Sequence, residues 1–557
     1  MKHQNSISKP FWRNTLIYII LLSAIGIVTG VIGFSKCGEG FGNGLYSTIQ
    51  MFILSRSFSD GEVNHYLEFS RWSIFLVIVL LSFDVLSALF REQWKFLKIK
   101  FRYHNHIIVC GLTEQSLQLA KKYTDEKKIF IDNTANNPLR YSLYDLNAKL
   151  IIGDTCSKTI LRLAKIHEAK EVFIFTGVDE KNVENAQIIF DLVKTERRLN
   201  KALECYTLIQ DNKFSNLLEE TALFKYSTHY FDGHLFNLTE TAIKHFLITN
   251  IDKVLQSGKM KNIPHVLLIG LTDYTATIIR NLAHCTTMEG ENFKFIIVED
   301  NENTVIDFKK KHWYLDEFAT IEYVDDMQKA VSQKDYTSVF VCYEQPLKAI
   351  ETAFTAHYCI AKENLNIFVF CNNSNIVSRV LNEKEWKKTD KYYTLEERNM
   401  RFVNVIKECV AFFDFDKNIA KYAEKTHEKY NKLCEQQSNN EDKCKSFKDL
   451  SEHFKQSNRN QCIDNYLKFF IATGEKFDFE YKGEPVSFND ADRKILAIME
   501  HRRWMIEKYV SDWRDGNERD DKFKINPNLK NWENIDEKTQ EYDYVPIDVI
   551  EIITKQH

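Results

Sequence analysis

Two short stretches carry residues that could do chemistry. His106–Ser116 reads HIIVCGLTEQS and His265–Thr275, 159 positions later, reads HVLLIGLTDYT. Each is an apolar run, an abrupt Gly-Leu-Thr, an acid and then a hydroxyl residue. A strand that turns sharply into a helix presents backbone N–H groups and the positive end of the helix dipole, which favour a phosphate. A second apolar run follows in each copy and ends on an acid, Asp132 at 21 residues after Gly111 and Asp300 at 30 after Gly270. An acid about 20 residues past the first glycine is placed to accept from ribose hydroxyls. Both copies keep only the first glycine of a dinucleotide fingerprint. Thr113 and Thr272 stand for the second, and Ser116 and Thr275 for the third. Close pyrophosphate approach is thereby obstructed, while the hydroxyls remain able to donate to an anion. The candidate nucleotide contacts are Gly111, Thr113, Glu114, Ser116, Asp132 and Asp154 in the first copy, and Gly270, Thr272 and Asp300 in the second, with Asp326 in the place of Asp154. The ligand they imply is an adenine nucleotide or NAD-type molecule. Each acid has an alternative reading as a solvated strand end or a cap on the next helix.

The elements that must position these groups follow from the apolar runs. HIIVCG, KIFIDN, KLIIGD, EVFIFTG and CYTLIQD alternate with helical stretches, and the second copy repeats the order with HVLLIG, KFIIVED, IEYVDD, SVFVCYE and IFVFCNN. This is an α/β pattern of two tandem Rossmann-like, doubly wound parallel sheets. A Tyr-rich segment and a helix close each copy, at Tyr230–Phe246 and Tyr392–Val410.

Ahead of them, Thr15–Phe34 is an uncharged run of 20 residues, and Trp72–Phe90 is a run of 19 broken only by Asp84. Both suit bilayer-crossing helices. Basic residues flank the outer ends, Lys2, Lys9 and Arg13 before the first run and Arg91, Lys95, Lys98, Lys100 and Arg102 after the second. The expectation is a multi-pass protein of the inner or plasma membrane, with two spans and both termini cytoplasmic. The connection between the spans places Gly38, Gly40, Gly42 and Gly44 before LYSTIQMFIL, Leu45–Leu54. That segment is too short to span and is expected to re-enter as a helix. An intramembrane acid marks a cavity or a partner, so Asp84 is a candidate pore residue. Span, re-entrant helix, span and nucleotide-binding fold is a layout that resembles two-span potassium channels with RCK domains. The run after the short helix, SRSFSDGE, lacks the TVGYG-like carbonyl filter of those channels.

The first copy resembles the TrkA N-terminal (RCK) family over Asn105–Leu192, through IIVCGLTEQSLQLAKKY, Asp132 and IIGDTCSKTILRLAKIHEAKEVFIFTGVDEKN. The C-terminal region resembles the ryanodine-receptor repeat (RyR) domain of bacterial proteins. The resemblance rests on Glu500-His501-Arg502-Arg503-Trp504, on Trp513 and Gly516, on Arg519 and Asp520, and on Asn526, Pro527, Leu529 and Trp532. It departs from that family at Asn526 and Asn531. Glu500, His501, Arg502, Arg503, Trp504, Trp513 and Arg519 are its candidate ligand contacts, with guanidinium groups holding phosphate and indoles stacking a base. On this expectation Arg503 is accessible, and its truncation spares folding while a Gly111→Val change blocks the first crevice. The alternative is a domain whose tryptophans form the core, whose arginines pair with acids and whose His501 is a satisfied core histidine.

The expected organisation is a transmembrane domain at 1–104, Rossmann domains at 105–260 and 261–412, a helical and polar linker at 413–455, and a mostly helical RyR-like domain at 456–557. With 74 basic and 78 acidic residues and a net charge of -4, no global footprint for nucleic acid exists. The 12 cysteines show no metal spacing, and no nucleophile and base pair stands out, so the chain reads as no enzyme. The functional expectation is a ligand-gated membrane channel or membrane effector, a homo-oligomer with a tetramer favoured, controlled by a small phosphate-bearing ligand. The resemblances imply bacterial nucleotide-triggered defence. A membrane-anchored NAD-dependent enzyme and a non-conducting nucleotide-sensing scaffold are the alternatives.

Overall fold

The computed structural model describes residues 11–53, 63–258, 261–332, 335–360, 365–371, 399–437, 445–478 and 480–555. It divides into two units, Met1–Arg102 and Tyr103–His557.

In the first unit, α1 (Phe11–Lys36) and α3 (His65–Leu89) contain the two segments long and apolar enough to cross a membrane, Ile17–Lys36 and His65–Phe83. Their outward side chains are large and apolar, with Ile20 58% and Phe69 57% exposed, which suits a lipid-facing surface and not a soluble one. The inward side combines a small apolar core of Phe34, Met51, Leu67 and Ile74 with glycines at the closest approaches. A Cβ on Gly30 would lie 2.5 Å from Thr48 Cγ2 and 2.8 Å from Ser70 Oγ, and one on Gly33 would lie 2.6 Å from Leu67 Cγ. Glycine therefore sets how closely three helices meet. Ser70 Oγ donates to the Gly26 carbonyl at 2.6 Å and Asn64 Nδ2 to the Gly33 carbonyl at 2.9 Å. The short helix α2 runs Phe41–Phe52, four residues earlier at its start than the apolar run suggests, and it buries Gly44, Ser47, Thr48 and Met51. Leu54 and the SRSFSDGE segment lie outside the described residues. Asp84 falls in α3, and its side chain also lies outside them. The amphipathic helix α4 (Arg91–Arg102) ends this unit.

The second unit contains two six-stranded parallel sheets of the same order. The first is β3-β2-β1-β4-β5-β6, from Lys149–Ile152, Lys128–Asp132, His106–Cys110, Ala169–Ile174, Leu203–Leu208 and Phe231–Phe236. The second is β9-β8-β7-β10-β11-β12, from Thr320–Val324, Lys294–Val298, His265–Ile269, Ser338–Cys342, Asn366–Cys371 and Met400–Asn404. This is the doubly wound order, with its switch point between the first and fourth strand of each copy. The sixth strands were hidden in the Tyr-rich closing segments. Each has a single neighbour in its sheet, and FDGHLF and MRFVN lack the continuous apolar run of a strand covered on both sides.

Helices α5 (Glu114–Lys122), α6 (Leu238–Leu255) and α7 (Asp273–Leu282) belong to the two windings, and α8 (Val405–Gln437), α9 (Glu452–Thr473) and α10 (Asp490–Val510) follow. The helices after the edge strands cross between copies. Phe246 on α6, just past β6, meets Phe340, Phe368 and Phe370 of the second sheet, with ring centroids 5.0 Å apart for Phe368. Phe413 on α8, just past β12, meets Phe173, Tyr206 and Phe236 of the first sheet, the last at 5.2 Å. Each copy thus helps to cover the other, so the boundary expected at 412 and 413 falls inside one continuous helix. The expected linker 413–455 consists largely of that helix, and residue 456 lies inside α9. Asn216 Nδ2 donates to the Val510 carbonyl at 2.8 Å, tying α10 to the first copy. Cys110, Cys205, Cys285, Cys342, Cys409 and Cys462 are free and buried.

Candidate ligand sites

At the first switch point, Gly111 has φ +100°, which favours glycine, and a Cβ there would lie 2.3 Å from the Phe175 carbonyl oxygen. The glycine is demanded by the turn and by the adjacent strand. Gly111→Val is therefore a lesion of the fold and no simple plug for the crevice. Thr113 is the N-cap of α5. Its Oγ1 accepts from the Ser116 N–H at 3.1 Å, while the Thr113 N–H donates to Ser116 Oγ at 2.9 Å and that hydroxyl donates to the Thr113 carbonyl at 3.0 Å. The two hydroxyls expected to greet an anion are thus engaged in a capping box, and Ser116 is fully buried. Glu114 stands exposed in the first turn. Asp132, 8% exposed, ends β2 and accepts from Asn137 Nδ2 at 3.1 Å, and the same amide group donates to the Leu112 carbonyl at 2.8 Å. Asp132 is therefore held over the glycine turn. Asp154 accepts from the Cys156 N–H at 3.3 Å and sits 3.2 Å from Lys181 Nζ; the backbone bond chiefly lowers its pKa. It is exposed and organises its own loop.

The second copy corrects one assignment. The Gly111 N–H donates to the Ile131 carbonyl and the Gly270 N–H to the Val298 carbonyl, so the residue equivalent to Asp132 is Glu299 and not Asp300. Glu299 accepts from the Leu271 N–H at 3.2 Å, across the glycine turn, and Asp300 is exposed. Gly270, at φ +93°, again sits against the fourth strand, 2.9 Å from the Cys342 carbonyl oxygen to a built Cβ. Thr272 Oγ1 donates to that carbonyl at 3.2 Å and Thr275 Oγ1 donates to the Gly270 carbonyl. Asp326 caps the next helix by accepting from the Gln328 N–H at 2.9 Å.

The C-terminal arginines do not form an open phosphate site. Arg503 is 9% exposed, and its Nε contacts both Glu500 carboxylate oxygens at 3.1 Å while Nη1 donates to Glu507 at 2.6 Å. Glu500, 2% exposed, also accepts from Lys468 at 2.7 Å. Lys468 in turn pairs with Asp464, which holds His284 of the second copy at 2.5 Å. Arg502 donates to the carbonyls of Ala283 and Phe318 and lies over the Phe318 ring, and burial lowers its pKa to about 10. His501 is buried between the Asp543 carboxylate at 3.1 Å and the Lys530 carbonyl at 2.9 Å, as a satisfied core histidine. Trp504 packs 5.5 Å from His501, Lys508 lies over the Trp513 ring, and Arg519 is exposed and paired with Asp521 at 2.8 Å. The cluster is an ionic and aromatic core that joins α10 to α9 and to the second copy.

A feature that sequence reasoning missed lies between β5 and β6, α6, α7, α8, α9 and α10. It is a cavity of about 660 Å³ lined by both charges and rings. Glu240 pairs with Arg280 at 2.6 Å and with Lys244 at 3.2 Å; burial opposes its ionisation, but those two cations hold it down to about 2. Glu452 accepts from Arg459 at 2.7 Å. Asp416 and Arg459 belong to its lining, and among the described residues Asp416 Oδ1 and Arg459 Nε are buried without a hydrogen-bond partner. The one available signal was QSNRNQ, which contains Arg459. Among the described residues no three His, Cys, Asp or Glu side chains gather as a metal site.

Residues 107–223 match the TrkA-N domain. No curated protein matches the chain. Among solved structures the chain is similar to GsuK bound to ADP, at 11% identity and TM-score 0.38, over 72% of this chain and 98% of that one. It is similar to the GsuK channel bound to NAD at 10% identity and TM-score 0.38, over 72% and 83%. It is also similar to the human SLO3 gating ring at 11% identity and TM-score 0.38, over 56% and 82%. The TrkA-N match thus runs from β1 through β5 of the first sheet.

Proposed function

We propose that the chain is a ligand-regulated membrane protein, a channel or membrane effector, in which a nucleotide-type ligand bound to the cytosolic Rossmann pair biases the state of the two membrane helices. One observation carries this reading. Two apolar helices packed on a short intervening helix lead through basic α4 to β1 of a TrkA-N-like domain, with only three residues between Arg102 and His106. A change of arrangement in the double sheet has a short covalent path to α3. Differential affinity of the ligand for two arrangements supplies the coupling energy. The first crevice, with Gly111 and the positioned Asp132, is the nucleotide site of this reading, and Glu299 takes the corresponding place in the second. The RyR-like residues 456–557 serve as a body that clamps the two Rossmann copies, because Arg502 and Arg503 are spent on internal contacts. Assembly as a tetramer, both termini in the cytoplasm and a role in nucleotide-triggered defence belong to the same proposal. The test is ion flux through the purified full chain in planar bilayers, with and without ADP and NAD. Nucleotide-dependent current is expected, with poor discrimination among small ions. A membrane that stays equally tight at every nucleotide overturns the reading.

A further inference from the structure

The junction of α3 and α4 carries an apolar groove that the nucleotide sites leave unexplained. Helical hydrogen bonding runs through the junction, the Phe90 N–H donating to the Leu86 carbonyl and the Trp94 N–H to the Phe90 carbonyl, each at 2.9 Å. Side chains three and four residues apart therefore stay in line from one helix into the next. Phe83, Leu86, Phe90, Trp94 and Leu97 have that spacing, and with Gln93 they line a groove of about 410 Å³. Phe101 extends the line by a further turn. All of these apolar side chains are exposed. An uncovered apolar stripe that starts at the end of a membrane span calls for a partner.

Charge identifies that partner. α4 reads REQWKFLKIKFR, five basic residues against one acid, Glu92, which pairs with Lys95. With about 100° of turn per residue, Trp94, Leu97 and Phe101 fall within about 60° of one another, and Lys95, Lys98 and Arg102 fall within about 60° of one another on the adjoining arc. Ile99, fully buried, lies on the opposite side of the helix. One side of α4 is thus tied into the protein, and the other presents a row of rings beside a row of cations. A helix too short to cross the bilayer, with that pairing of stripes, lies in the interface: its apolar side chains enter the acyl boundary while its lysines reach the headgroups.

We propose that the groove and the basic row beside it form a site for an anionic phospholipid of the cytoplasmic leaflet. An acyl chain lies along Phe83, Phe90 and Trp94, and the headgroup phosphate meets Lys95, Lys98 and Arg102. The proposal rests on the reading of α1 and α3 as membrane spans and adds to it a dependence on lipid charge. Because α4 is the covalent path from α3 to β1, a lipid that holds α4 at the interface fixes the point where motion of the double sheet reaches the spans.

The full chain is reconstituted into vesicles of phosphatidylcholine with phosphatidylglycerol as a minor component, and tryptophan emission is read with each lipid in turn brominated on its acyl chains. The Trp94 contribution is the difference between the parent and Trp94→Phe. Phosphatidylglycerol is expected to occupy the site in preference to phosphatidylcholine by about tenfold or more at equal mole fraction. Lys95→Glu together with Lys98→Glu should bring that preference close to parity. High salt should reduce it in the parent, which serves if the double variant does not fold, and inorganic phosphate should do no more than chloride at matched ionic strength. Failure of the chain to insert into either vesicle counts against the membrane reading itself. Insertion with equal quenching by both lipids, with no quenching of Trp94, with a preference indifferent to charge reversal or to salt, or with specific displacement by inorganic phosphate overturns the lipid site and leaves the membrane reading standing.

Discussion

Arg503→Ala separates a structural arginine from a ligand contact. In the folded chain the guanidinium satisfies Glu500 by three contacts of 2.9 to 3.1 Å and Glu507 by one of 2.6 Å. Truncation leaves two buried carboxylates short of a cation. Lys468 still reaches Glu500, whereas Glu507 keeps Asn460 Nδ2 at 3.4 Å and a hydrogen bond from Ser457, both uncharged. Breaking a buried pair by removing one member costs about 3–5 kcal/mol, and the surviving lysine places the expected loss near the lower end. Arg519, 56% exposed at its side chain and paired with Asp521 in the same loop, should cost less than about 1 kcal/mol. Thermal and denaturant unfolding of the full chain in detergent, with hydrogen exchange of the α10 amides, reads the difference. Acid dependence gives an independent check. Burial opposes ionisation of Glu507, yet Arg503 and Lys508 lower its pKa to about 2. A depressed carboxylate contributes stability that is present above its unfolded value of about 4.5 and is lost as pH falls toward 2. Arg503→Ala should flatten that limb. An unshifted unfolding midpoint together with loss of the nucleotide response would refute the reasoning and return Arg503 to the role of a ligand contact.

Asp132→Ala should weaken adenine-nucleotide binding by about 1.5–3 kcal/mol, the value of a hydrogen bond to a charged acceptor, and calorimetry showing equal affinity would leave Asp132 as a partner of Asn137 alone. Gly30→Val forces α1 away from Thr48 of α2 and Ser70 of α3, which come within 2.5–2.8 Å of a built Cβ, and should lower the detergent unfolding midpoint by the equivalent of about 1–3 kcal/mol; a normal midpoint with intact helix packing counts against that close approach. Asp416→Asn removes a carboxyl whose pKa burial raises. Such a group costs stability once pH exceeds its unfolded value, so the unliganded variant should gain on the parent as pH rises from 4 to 7, and a gap independent of pH would contradict the buried, unpartnered placement.

The ten strands nearest the two switch points were legible because parallel strands covered on both faces are written as unbroken apolar runs, as in Ile107–Cys110 and Val266–Ile269. Counting to the next acid was a weaker guide. In VED the register picks Glu299, because the Gly270 N–H bonds to Val298 and the following residue turns toward the glycine loop. The spacing of Glu500, Arg503 and Glu507 also held a readable signal. Residues three and four apart on a helix are neighbours, so an acid, an arginine and an acid at that spacing favour internal pairing over an open phosphate site.

The cavity had no comparable trace, and the reason lies in the exchanged helices. A reader who stops each copy at its fifth strand keeps α6 with the first copy alone, assigns most of α8 to a linker and lets the C-terminal region hang as a separate domain. Once β6 and β12 are in place, α6 carries Phe246 onto the second sheet and α8 carries Phe413 onto the first. That crossing brings Glu240, Asp416 and Arg459, from segments far apart in the chain, to one wall. The same crossing makes a ligand there touch both copies together with α9 and α10. A molecule bound among these elements has a differential effect on any motion of one sheet against the other, whereas one bound in a single crevice contacts mainly its own copy.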